Sequence, residues 1–117
     1  MTVVAPSVLV ATGGVLGALC RYELTRRLED RVGTLAVNVL GSLALGFVTF
    51  AGVGPAAATL VGTGACGSFT TFSSFAFDTV TLWTEEGRPW AAAGNALLTL
   101  AAALVAVGVG WALARVV

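Results

Sequence analysis

Histidine and lysine are absent from this chain, and charge of either sign is scarce: six arginines balance six acids in 117 residues, a charged fraction of 10%. Soluble domains carry charge on about a quarter of their residues, so the chain has too little charge to cover a water-facing surface. With acids matching bases there is no basic patch for nucleic acid. The two cysteines, Cys20 and Cys66, stand outside any metal-ligand spacing and make no disulfide framework. They read as small apolar packing residues. No nucleophile–base pair and no cofactor motif is present, which argues against an enzyme.

What the chain has in abundance is apolar length. Hydrophobic residues make up 57% of it, and a transmembrane helix needs about 20 mostly apolar residues, so there is room for four. Charges and turn residues mark the ends. Span 1 runs from about Val3 to Tyr22, with Pro6 tolerated in the first helical turn. It leads into RYELTRRLEDR, residues 21–31, which holds most of the charge and belongs at a water interface. Span 2 covers about Gly33 to Ala51, and GVGP at 52–55 supplies a tight turn. Span 3 covers about Ala56 to Trp83, EEGRP at 85–89 makes the next loop, and span 4 covers about Trp90 to Leu113. Trp83, Trp90 and Trp111 fall near span ends, where aromatic belts are expected. Span 1 has no basic leader and cleavage site before it and reads as a retained span. The expectation is an all-α integral membrane protein, one four-helix transmembrane domain over residues 1–117.

The spans are striped. On a helix Thr34, Asn38, Ser42 and Thr49 fall within about an 80° arc at 100° per residue, giving span 2 a polar face. Span 4 repeats this with Asn95 and Thr99, followed by Ala103 and Gly110. Span 1 aligns Ser7, Gly14, Gly17 and Arg21, and Gly13 to Gly17 is a small-xxx-small contact. Small and hydroxyl residues let membrane helices approach closely, which accounts for the glycines and for Ser7 and Ser42. An amide in hydrocarbon needs a partner, so Asn38 and Asn95 mark either a bundle interior or a polar path.

Span 3 carries GSFTTFSSF, residues 67–75, where five hydroxyl residues are interleaved with aromatic rings. Gly62, Gly64 and Gly67 precede Thr70 and Thr71, a composition that invites a break at mid-membrane. Backbone freed there must be buried in protein or line a cavity, often coordinating an ion. Phe72 and Phe75 share a helix face, and an aromatic ring has a positive edge. The stretch therefore offers carbonyls to a cation at the break, and hydroxyls, amide N–H groups and ring edges to a small anion beyond it. None of these carries a full charge that would trap the ion.

These residues resemble the CrcB/Fluc fluoride channels over almost the whole chain. GGVLGALCRY, residues 13–22, is similar to that family's span 1 with its Gly-Ala-x-x-Arg-Tyr ending; GTLAVNVLGSLALG, residues 33–46, to its Gly-Thr-Leu-x-x-Asn-x-x-Gly segment; and GSFTTFSSF to its Gly-x-x-Thr-Thr-Phe-Ser-x-Phe signature. The resemblance implies an antiparallel dual-topology dimer with two pores that exports fluoride passively through the cell membrane. It implies that Phe72 and Phe75 offer ring edges to fluoride, that Asn38 is a pore residue, and that Ser73 and Ser74 continue a hydroxyl track. Gly67 and Thr70 correspond to the carbonyls that hold a central structural Na⁺ between subunits. Arg21 corresponds to the arginine closing span 1, and Asp78 stands where the family usually has Glu. In span 4, Asn95 and Thr99 take positions where many relatives have Tyr and Ser, and Ala103 replaces a further polar residue, which implies a different hand-over of fluoride along this helix.

Arg26, Arg27, Arg31 and Arg88 lie in the two loops expected on one side, with Arg115 alone on the other. A dual-topology homodimer calls for little such bias, so the partner is either a second copy or a paralogous subunit in fixed orientation. A small proton-coupled multidrug exporter, the rival of similar size, requires a membrane-embedded carboxylate in span 1, and none precedes Glu23. A structural subunit without transport gains nothing from a broken span 3.

Overall fold

Pro6 opens the first helix, α1 (Pro6–Arg27), and needs no N–H there because the first helical turn has no partner for it. The computed structural model describes residues 3–117; Met1 and Thr2, the first two residues of the expected unit, lie outside the described residues. After α1 come α2 (Asp30–Phe50), a third helical run, and then α4 (Phe72–Thr84) and α5 (Pro89–Arg115). The third run, α3, is built of an α-helical turn Pro55–Ala57, a π-helical stretch Ala58–Cys66 and a further α-helical turn Gly67–Phe69. Among the described residues there is no strand. α1, α2 and α5 are each long and apolar enough to cross a membrane. The remaining run is broken between α3 and α4.

One boundary differs from expectation. Span 1 is expected to end near Tyr22, yet α1 continues to Arg27 and only Leu28 and Glu29 separate it from α2. The extension is held by its own side chains. Glu23 pairs with both Arg26 and Arg27 one turn on, and Thr25 Oγ1 donates to the Arg21 carbonyl at 2.7 Å. Pairs at three and four residues' spacing support a helix in this way. The expected break in span 3 lies at Thr70–Thr71, and Gly62 and Gly64 lie in the π-helical winding ahead of it.

Close backbone contact explains where the glycines sit. α1 packs along α3, and a Cβ on Gly13 would overlap the Leu60 carbonyl oxygen, while one on Gly17 would overlap Ser68 and the Ala65 carbonyl. The expected Gly13–Gly17 contact is thus made, against the π-helical stretch. α2 and α5 form the second tight pair. There Gly46 lies against the backbone of Val107, and Gly110 against Leu43 and Phe47. Lipid tails are as apolar as leucine, so such backbone proximity, more than hydrophobic burial, is what holds membrane helices together. The buried apolar set is correspondingly small: Val37, Cys66, Leu82, Ala92 and Ala106.

At one end of the bundle Arg31, from the start of α2, pairs with Glu86 in the α4–α5 loop. The α1–α2 and α4–α5 connections therefore share that end, as alternating passes require. At the other end of α5, the Arg115 guanidinium sits 4.9 Å from the Trp111 ring centroid.

Candidate functional site

The break is the organising feature. Thr70 and Thr71 both take extended backbone angles (φ −77°, ψ 158° and φ −144°, ψ 119°), so the helical hydrogen-bond ladder stops between Phe69 and Phe72. Several of the freed groups find partners on other helices or in the cap of the next one. Asn38 of α2 supplies two of them: its Nδ2 donates to the Thr71 carbonyl at 3.0 Å, and its Oδ1 accepts the Thr71 N–H at 2.8 Å. Arg21 of α1 donates from Nη1 to the Thr70 carbonyl at 3.0 Å. Thr71 then caps α4, its Oγ1 accepting the Ser74 N–H at 3.2 Å. Gly41 opposite permits the approach, since a Cβ there would overlap Thr70.

Beyond the break, the Phe72 and Phe75 rings lie with centroids 5.7 Å apart and planes inclined at 53°. Phe72 is 79% exposed on the single chain. Both rings border an open cavity of about 860 Å³ that also takes in Asn38, Ser42, Gly67, Thr70, Thr99 and Ala103. Thr99 is nine-tenths buried, and its neighbour along the stripe, Ala103, borders the same space. Thus Asn38, Phe72, Phe75, Thr99, Gly67 and Thr70, named from the sequence, meet in one place.

The other named residues lie elsewhere. Ser73, Ser74, Arg21 and Asp78 line a second cavity of about 760 Å³, with Arg26, Asp30, Thr34 and Thr71. Thr71 and Phe72 are adjacent in sequence, so the two spaces meet at the break. Asp78 is buried, and the arginines and aspartates of this cavity balance in charge. Asn95 borders neither space; its Nδ2 donates to Thr79 Oγ1 at 2.9 Å.

Gly67 and Thr70 offer carbonyls of the kind that hold alkali cations where membrane helices unwind. The ordinary donor to the Gly67 carbonyl, the Thr71 N–H, is taken by Asn38. Gly67 is exposed at the surface of the chain. The Thr70 carbonyl already accepts from Arg21, leaving its second lone pair. Carbonyl donors of this kind suit a sodium ion.

Sequence reasoning did not assign Thr71 its part. The available signal was its place as a threonine immediately before a new helix, where N-caps are found. The partnership of Thr79 with Asn95 had no signal, because it joins two helices across a loop.

The sequence also matches a family described as CrcB-like protein, Camphor Resistance (CrcB), over residues 8–111. This chain belongs to the CrcB/Fluc family. Relatives of this CrcB/Fluc chain include a Haloarcula marismortui protein named fluoride-specific ion channel FluC 2, 55% identical over 112 residues and 93% of each chain. Another, fluoride-specific ion channel FluC 1 of Halobacterium salinarum, is 49% identical over 95% of each chain. A third, from Natronomonas pharaonis and also named fluoride-specific ion channel FluC 2, is 52% identical over 89% of this chain and 90% of its own. The family is one of ion channels and not of enzymes. With three helices able to cross a bilayer, this CrcB/Fluc chain is a membrane protein.

Proposed function

We propose that this chain is a fluoride-selective channel that lets fluoride leave the cell passively and so confers resistance to it. The observation that carries the reading is the break at Thr70–Thr71, pinned by Asn38, with the Phe72–Phe75 pair immediately beyond it on the border of a cavity. Around the break are hydroxyls, ring edges and the first amides of α4, at the positive end of its dipole. These are donors for an anion that carry no formal charge, so binding is balanced against release. Asn38 has both ends of its amide on the Thr71 backbone, which supports a part in shaping the site.

Hydrogen fluoride crosses membranes neutral and dissociates in a less acidic cytoplasm. A selective pore lets the trapped anion out, assisted by an inside-negative potential worth about 2.3 kcal/mol per charge per 100 mV. Selectivity over chloride then rests on a narrow donor-lined path scaled to the smaller ion.

The site borders the surface of a single chain, with Phe72 and Gly67 exposed. This supports assembly with a second copy, which the CrcB/Fluc resemblance puts in antiparallel orientation within the plasma membrane. Gly67 and Thr70 carbonyls from each copy would hold a structural Na⁺ between them, supplying positive charge at the break. A paralogous partner is the second reading, favoured by Arg26, Arg27, Arg31 and Arg88 gathering at the end marked by the Arg31–Glu86 pair. Fluoride efflux from liposomes containing this chain alone, with chloride as control, tests the reading. Rapid fluoride loss with chloride retained supports it; no efflux from folded protein, alone or with a paralogous subunit, overturns it.

A further inference from the structure

Helix α4 is mechanically separate from the rest of its pass. No helical hydrogen bond carries its orientation across Thr70–Thr71, and only Asp78 and Leu82 of its own residues are buried. Apolar packing gives little direction to a helix in lipid, so polar contacts have to set where it stands. There is one near each side of Phe75. At the hinge, Asn38 holds the Thr71 backbone. Eight residues on, about 12 Å along the helix at 1.5 Å per residue, Asn95 of α5 donates to Thr79 Oγ1 at 2.9 Å.

Thr79 Oγ1 in turn donates to the Phe75 carbonyl at 2.8 Å. The bond therefore ends on the residue whose ring borders the cavity. Phe75 lies four residues from each anchor. The Asn95–Thr79 contact is also the one side-chain to side-chain hydrogen bond that joins two helices among the described residues. On α5, Asn95 shares its stripe with Thr99 one turn further on, and Thr99 borders the same cavity as Phe75.

We propose that Asn95 and Thr79 are a positioning pair: their bond fixes the turn of α4 that carries Phe75 at a set distance from α5, and with it the spacing of the Phe75 ring and the Thr99 hydroxyl. Asn95 acts through Thr79 and does not itself touch the ion. Its consequence for transport rests on the fluoride-channel reading; its structural content does not.

The test uses the full chain in liposomes and in detergent. Thr79→Val removes the hydroxyl at near-constant volume, Thr79→Ser keeps it, and Asn95→Leu removes the amide. Fluoride efflux relative to chloride leak is expected to fall about three- to tenfold in Thr79→Val and in Asn95→Leu, in keeping with one interhelical hydrogen bond in a membrane. Thr79→Ser is expected to stay near the parent, and the double Thr79→Val/Asn95→Leu to be no worse than the poorer single variant, because both remove one interaction. In parallel, 4-fluorophenylalanine is placed at position 75 and its ¹⁹F resonance is recorded. That resonance is expected to move or broaden in Thr79→Val and Asn95→Leu and to be retained in Thr79→Ser.

An unchanged resonance in folded Thr79→Val and Asn95→Leu overturns the proposal, as do additive losses in the double variant or a Thr79→Ser as impaired as Thr79→Val. If Thr79→Val does not fold, Asn95→Leu carries the same comparison. If the parent chain passes no fluoride but the resonance responds as described, the positioning pair stands and the transport reading fails.

Discussion

Asn38 and Thr71 exchange two hydrogen bonds across the bundle, the amide of one side chain satisfying both the N–H and the carbonyl of one backbone residue. An amide is the one side-chain group that offers donor and acceptor in this fixed geometry. Replacing Asn38 with Leu leaves both Thr71 groups unpaired in an apolar surrounding, at a cost of about 1–3 kcal/mol for an unsatisfied group. We expect a lower thermal midpoint in detergent together with lost fluoride efflux. A midpoint equal to the parent's would show that the break holds without Asn38.

The aromatic pair is expected to behave in the opposite way. Phe72 is mostly exposed on the single chain, so Phe72→Ile takes little from the fold of the subunit. Fluoride efflux should nevertheless drop at least about tenfold, equivalent to ~1.4 kcal/mol of barrier. Retention of efflux in a folded Phe72→Ile would remove the ring from the ion's path.

Glycine positions divide by what a side chain would meet. Gly17→Val and Gly110→Val force a side chain into opposing backbone, Ala65 in one case and Leu43 in the other. Overpacking costs about 1–3 kcal/mol, and more is expected where the obstacle is backbone. Gly14→Ala and Gly108→Ala meet nothing within 4 Å and should leave the melting curve close to the parent's. Size-exclusion profiles and thermal melts of the four variants check the contrast.

The Arg31–Glu86 pair joins two connections in an exposed setting. Exposed pairs contribute about 0–1 kcal/mol, so Glu86→Gln should shift the thermal midpoint only slightly, and less still at high salt. A large loss of stability would mean that this pair, and not helix packing, holds the two connections together.

Much of the architecture was legible because it follows from local chemistry. Apolar runs bounded by charge and by Gly-Pro turns located each helical run to within a few residues, since crossing a bilayer imposes length and composition directly. Helix α1 runs past Tyr22 because arginines and acids at helical spacing stabilise a helix as readily as they mark the end of a span. Among the glycines ahead of the break, Gly64 serves close packing on α1, a property of the partner helix that its own stretch of sequence does not carry.

The candidate site divides in the same way. Residue types pointed to Asn38, Phe72 and Phe75, because amides and ring edges beside a broken helix stand out in an apolar chain, and the resemblance to the CrcB/Fluc family added Gly67, Thr70 and Thr99. Their meeting around one cavity required α2, α4 and α5 to come together, and that depends on which glycines face which backbones. Sequence likewise determined that span 3 has to break near its threonines. Tertiary structure decided who satisfies the broken backbone: Asn38 and Arg21 reach it from two other helices, and Asn95 turns away to Thr79. Hydrogen-bond partners across a bundle are set by helix rotation and crossing, which side-chain periodicity along one chain does not encode.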